Sequence, residues 1–160
     1  MKEILNNTFP TAEAYIYGSD DYPDINGIIR FYKSRKGTLT AVQIRGLPHD
    51  KGACKRRVFG FHIHEGALCS GTWADPFADA GGHFNPNGCL HPKHAGDMPP
   101  IFGDSQGYAM MIFYTDRFRP DEIVGRTVII HDMPDDFHTQ PSGNAGTKIA
   151  CGEIFAKHKE

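Results

Sequence analysis

Histidines at close and regular spacing are the residues of this chain best suited to chemistry. Gly60-Phe61-His62-Ile63-His64 ends an alternating apolar run. Residues two apart in a strand project from the same face, so His62 and His64 can aim their imidazoles at one ion. Further on, His83-Phe84-Asn85-Pro86 is followed by His91, His94 and Asp97. Three imidazoles and one carboxylate make a full tetrahedral donor set for zinc, with no thiolate needed. His131 ends the apolar run Val128-Ile129-Ile130, where its ring can turn back toward the first pair. His62, His64, His83, His91, His94, Asp97 and His131 are therefore expected to build a two-metal site. A lone histidine on a strand is more often a core or surface residue, but six of the nine histidines fall at these spacings, which makes coincidence a poor account. His49, His138 and His158 have no partner at such spacing and are read as surface residues.

The elements that must hold these side chains read as strands. Period-two alternation marks Ala12 to Tyr17, Ile28 to Tyr32, Leu39 to Ile44, Val58 to His64, Tyr108 to Tyr114, Val124 to His131 and Lys148 to Ile154. Between them lie turn signals such as Asn26-Gly27, Lys36-Gly37, Asp104-Ser105-Gln106-Gly107 and Arg119-Pro120-Asp121. No long window keeps a helical period. The expected fold is all-β, a Greek-key barrel or sandwich of about eight antiparallel strands. Glu65 to Gly107 and Asp132 to Thr147 interrupt the rhythm, and loops that long inside a compact domain are usually functional. With no repeat or linker, residues 1–160 are read as one domain, long enough to bury roughly 70% of the surface of its unfolded chain.

Composition excludes several function classes. A formal net charge of -2 with interleaved signs gives no reason to expect nucleic acid or an anionic membrane as partner. The run Lys55-Arg56-Arg57 is read as a solvated turn before a strand. No stretch has the length of a membrane span. Cys54, Cys69, Cys89 and Cys151 show no C-x-x-C spacing, against a zinc ribbon or a thioredoxin-like site. His64-Glu65-Gly66-Ala67-Leu68 stops short of the H-E-x-x-H of zinc proteases. A cupin-type enzyme also uses H-x-H, but Glu65 follows His64 immediately and no second cupin-like motif surrounds His131.

The ordered motifs resemble the copper/zinc superoxide dismutase family. The likeness is carried by Gly60-Phe61-His62-Ile63-His64-Glu65, His83-Phe84-Asn85-Pro86, His94-Ala95-Gly96-Asp97, Gly125-Arg126-Thr127-Val128-Ile129-Ile130-His131 and Gly143-Asn144-Ala145-Gly146-Thr147-Lys148-Ile149-Ala150-Cys151-Gly152. The resemblance implies that His62, His64 and His131 ligate a copper ion, that His91, His94 and Asp97 ligate a zinc ion, and that His83 is shared by both. It implies copper cycling between two oxidation states with superoxide as substrate and dioxygen and hydrogen peroxide as products. Asp135 takes the position of a carboxylate that bonds the free ring nitrogens of His62 and His91. Cys69 and Cys151 match the family's disulfide. Cys54 and Cys89 have no counterpart, and a second disulfide, a free thiol or a competing ligand are open for Cys89.

Two departures bear on rate. Lys148 stands where the family normally has arginine, replacing a planar fork with a flexible, strongly hydrated point charge. Asp132 to Thr147 is shorter than the corresponding family loop and lacks its cluster of charges near the tip, so an enzyme working below the diffusion ceiling is expected; superoxide dismutase is itself a standard example of electrostatic steering. The competing reading is a non-catalytic copper/zinc-binding protein of the same fold, for storage or delivery; its mark would be a missing copper ligand or a blocked channel, and the chain keeps all the ligands. The resemblance allows a homodimer. Location is pulled two ways: Met1 to Asn7 opens no export signal, whereas a structural disulfide suits an oxidising compartment. The expectation is cytoplasmic, or periplasmic or secreted if a signal peptide has been removed.

Overall fold

The computed structural model describes residues 9–49 and 57–157. Nine strands follow in chain order: β1 (Ala12–Gly18), β2 (Asn26–Lys33), β3 (Thr38–Arg45), β4 (Val58–Phe59), β5 (Phe61–His64), β6 (Ile101–Phe102), β7 (Ala109–Thr115), β8 (Thr127–His131) and β9 (Lys148–Ala156). Seven of them form one antiparallel sheet in the order β5-β8-β9-β1-β2-β3-β7, curled into a half-barrel, and β4 pairs with β6. The all-β expectation holds. Among the described residues no helix is long and apolar enough to cross a membrane.

Alternation builds one core inside the curl. Along β1, Ala12, Ala14 and Ile16 point inward, while Tyr15 and Tyr17 point out. Ile29 and Phe31 of β2 and Val42 and Ile44 of β3 join the same cluster. Phe118, fully buried in the same cluster, meets Phe31 edge to face at 6.3 Å.

Several sequence expectations shift, among them Asn26-Gly27, read as a turn, which opens β2 opposite Arg45 and Ile44. Val58 to His64 is two strands rather than one: the Gly60 N–H bonds Met133 O at 2.7 Å, outside the ladder, so Val58 and Phe59 turn away to pair with Phe102 and Ile101. The strand expected from Val124 begins at Thr127. Arg119-Pro120-Asp121, read as a turn, enters a one-turn helix, α1 (Pro120–Ile123), in which the Arg119 N–H donates to the Glu122 carboxylate at 2.7 Å. Cys54, Lys55, Arg56 and His158 lie outside the described residues.

Strands β5 and β8 are buried on both faces, unlike β1. Phe61, Ile63, Val128 and Ile130 face the main core. On the opposite face Ile129 packs with Phe77, Ala80, Cys151 and Cys69 in a second apolar cluster. That outer face carries His62, His64 and His131, and the two long loops cover it. The Cys69–Cys151 disulfide pins the first loop to β9.

The disulfide joins residues 82 apart in sequence. Chain-entropy reasoning assigns such a crosslink ~4–5 kcal/mol, less any strain. A Cys69→Ala/Cys151→Ala variant is expected to lose most of this, read as a lower urea midpoint with a higher m-value, because the uncrosslinked denatured chain exposes more surface.

Candidate metal centre

Strand β5 is an edge of the seven-stranded sheet, and the long loop that follows it covers that edge. Exposed backbone donors and acceptors on an edge require partners. Ile63 N–H bonds Gly96 O at 2.9 Å, Phe84 N–H bonds Ile63 O at 2.8 Å, and Glu65 N–H bonds Gly82 O at 2.9 Å. These bonds set His83 opposite His64 and Asp97 opposite His62 in strand-like register. Glycine is needed at the closest approach, because a Cβ on Gly96 would sit 2.3 Å from Ile63 O. Backbone pairing alone thus brings residues of the loop beside the H-x-H pair.

The side chains converge as the spacing predicts. His62, His64, His83 and His131 each place one ring nitrogen within 4.8 Å of the others, and His83, His91, His94 and Asp97 do the same. His83 belongs to both sets. Its Nδ1 lies 2.8 Å from Asp97 Oδ1 and 3.3 Å from His94 Nδ1. Its Nε2 is buried with no hydrogen-bond partner. On the other side, His64 Nε2 and His131 Nε2 are 3.3 Å apart.

Second hydrogen bonds fix which nitrogen each ring turns inward. The His62 Nε2–H donates to Asp135 Oδ2 at 2.7 Å, and the His91 Nε2–H donates to Asp135 Oδ1 at 2.8 Å. The His64 Nδ1–H donates to Gly81 O at 2.8 Å. His131 Nδ1 faces Gly146 O at 3.4 Å. Rings so tethered keep one tautomer and one orientation. The inward His62 Nδ1 and His91 Nδ1 are then buried without a hydrogen bond.

Buried nitrogen lone pairs facing one another suit a cation. A tetrahedral ion bound at about 2.0–2.1 Å sets its donors roughly 3.3–3.4 Å apart. The spacings of His64 to His131 and of His94 to both His83 and Asp97, all 3.3 Å, match. The donor chemistry also fits: nitrogen alone in the first set suits copper, and three nitrogens with a carboxylate in the second suit zinc.

Charge follows the same logic. Burial lowers the pKa of His62, His64 and His94, and takes His131 down to about 3, so the imidazoles stand neutral and ready to ligate. Burial alone would raise the carboxyls, but hydrogen bonds win. Those from His62, Phe137 N–H and His91 hold Asp135 well below the usual carboxylate range, and His83 holds Asp97 down.

The second long loop delivers Asp135 and closes over the site. Gly143, in the left-handed region at φ 72°, passes so near that a Cβ there would lie 2.0 Å from Asp135 Oδ1. Two further ties were not evident from the residue pattern. Gln140 accepts from His91 N–H at 3.0 Å and donates to His91 O at 2.8 Å, joining the two loops. Arg117 donates to Pro92 O at 2.8 Å and reaches His94 O and Asp97 O at 3.4 Å. Both act on backbone carbonyls or amides, which leave no mark in side-chain spacing.

A cavity of about 820 Å³ opens onto the centre, with His64, His83 and His131 at its base and Lys148 on its wall. Cys89 also lines it as a free thiol; Cys54, the partner considered for a second disulfide, lies outside the described residues. His49 and His138 are exposed, away from the cluster.

Residues 25–154 match the family model of copper/zinc superoxide dismutase (SODC). The chain belongs to the copper/zinc superoxide dismutase family. It is 33% identical to a Cu-Zn superoxide dismutase of Deinococcus radiodurans over 92% of this chain and 85% of that one. A Cu-Zn superoxide dismutase of Aquifex aeolicus is 34% identical over 82% of this chain and 80% of its own. The Cu/Zn superoxide dismutase structure from Brucella abortus superposes with a TM-score of 0.74 at 23% identity, covering 89% of this chain and 98% of that one, and shows the shared fold. The crystal structure of the clock protein EA4 gives 0.75 at 28% identity, covering 94% and 97%.

Protonation should destabilise the metal-free chain. Folded imidazoles with pKa values below the ordinary 6.5 bind fewer protons than unfolded ones, so stability is full above about pH 6.5 and falls as pH drops toward 3. Asp97 and Asp135 contribute above 3.8 and lose that contribution below it. Urea midpoints of the metal-free protein should therefore decline steadily between about pH 7 and pH 4; a flat profile contradicts the burial described.

Proposed function

We propose that the protein is an active superoxide dismutase, in which His62, His64, His83 and His131 hold copper and His83, His91, His94 and Asp97 hold zinc. One observation carries the assignment: His83 belongs to both donor sets, with its Nδ1 beside Asp97 and His94 and its Nε2 buried without a hydrogen bond. An imidazole gives up both ring protons only when cations hold both sides, so a ring in this position belongs between two metals. Copper, once bound, supplies the one-electron couple by which two superoxide ions and two protons leave as dioxygen and hydrogen peroxide, while zinc stays in one oxidation state.

The chain's own residues supply order, charge and access. Asp135 spans His62 and His91, one from each set, so the two halves hold a common geometry. The β8 and β9 ladder sets His131 opposite Lys148, with a register shift at Ile130/His131. Lys148 then stands on the cavity wall, where its ammonium attracts a small anion toward the His64 and His131 side of the centre. Lysine gives charge without the paired donors of arginine, which supports turnover below the diffusion ceiling. Complete donor sets under an open cavity favour turnover over storage or delivery.

Metal analysis after loading with copper and zinc should find one of each per chain, together with superoxide removal. Zinc should be lost and activity should fall by at least tenfold in His83→Ala. Two bound metals without superoxide removal would support the storage reading instead.

Charge on Lys148 is separately testable. Lys148→Ala should lower the rate by about tenfold at low salt and flatten its dependence on ionic strength, whereas Lys148→Arg should preserve or raise it. Steady-state rates across ionic strength decide this, and an unchanged alanine variant removes Lys148 from the mechanism.

A further inference from the structure

Lys148 does not face the cavity as a free cation. Its Nζ lies 2.5 Å from Asp75 Oδ2, with the lysine side chain 17% exposed and the aspartate 42%. The loop holds Asp75 in place independently of the lysine. Asp75 N–H donates to Thr72 Oγ1 at 3.2 Å, its carbonyl accepts from Thr72 N–H at 2.9 Å and Ala78 N–H at 3.1 Å, and its Oδ1 accepts from Phe77 N–H at 3.2 Å. Oδ2 is left to meet the ammonium. Both partners line the cavity that leads to the histidines. The covalent frame is short as well: Asp75 follows Cys69, Lys148 precedes Cys151, and the two cysteines are bonded.

We infer that Asp75 is an internal competitor for the anion guide, a carboxylate tethered on the ammonium that must be displaced before a small anion can use it. The inference rests on the reading of Lys148 given above. A carboxylate and superoxide are both oxygen anions, so they compete for the same N–H donors. Tethering gives the carboxylate an effective concentration in the millimolar range or above, so it holds the site whenever free anion is dilute. Asp75 is thus a positioning residue for Lys148, and it sets how strongly the cavity attracts substrate.

The test uses copper- and zinc-loaded full-length protein and two readouts, superoxide removal across ionic strength and azide affinity from optical titration. Asp75→Asn should raise the low-salt rate about two- to fivefold, steepen its fall with salt, and tighten azide binding about two- to threefold. Both gains should vanish in the Lys148→Ala background, since the carboxylate acts through that ammonium. A folded Asp75→Asn with wild-type or weaker azide affinity overturns the inference, as does a gain that persists without Lys148. Asp75→Ser, whose hydroxyl can still accept from Phe77 N–H, carries the same readouts if the asparagine variant does not fold. A loaded wild type that binds azide yet removes no superoxide overturns the dismutase reading, and the azide comparison among variants still decides the role of Asp75.

Discussion

Six imidazoles and two carboxylates share one buried volume, and their mutual desolvation is the constraint around which the molecule is arranged. Neutral rings carry lone pairs that point at one another, and burial removes the water that would satisfy them. A buried polar atom left without a partner costs about 1–3 kcal/mol. His62 Nδ1, His83 Nε2 and His91 Nδ1 are in that condition together. Two cations, one in each donor set, would satisfy all three. The tethers from Asp135, Gly81 and Gly146 exist on the outer side of the rings because the inner side is kept for metal.

The sheet supports this arrangement through an unfinished edge. A central strand would have its backbone groups saturated by neighbours on both sides, but β5 has β8 on one side only. Its open side recruits the loop at Gly82, Phe84 and Gly96, and the recruited loop carries His83 and Asp97. Fold and site are therefore joined by main-chain hydrogen bonds rather than by side-chain packing alone. The disulfide and the second apolar cluster around Ile129 hold the remainder of that loop down.

Much of this was legible in the sequence, for physical reasons that differ by residue. The H-x-H pair declared itself through the strand period, and His83, His91, His94 and Asp97 through their chemistry and short spacing. Resemblance to the family supplied Asp135 and the Cys69–Cys151 pairing, neither of which spacing alone could give. The break at Gly60 was hidden because alternation continues through it, while the interruption lies in a backbone bond to Met133. Gln140 and Arg117 were hidden because their acceptors and donors are peptide groups. Nothing in spacing or motif singles out Asp75 in the sequence; only the fold sets it on Lys148.

The two donor sets differ in how much chain separates their members. One set runs from His83 to Asp97, within a single loop, whereas the other needs His62, His64 and His131, brought together only when β8 has docked on β5. Loop-closure entropy makes the compact set cheaper to assemble. Topology thereby sets an asymmetry between them: the loop set can form as a nearly local event, and the other exists only where β5 and β8 are already paired.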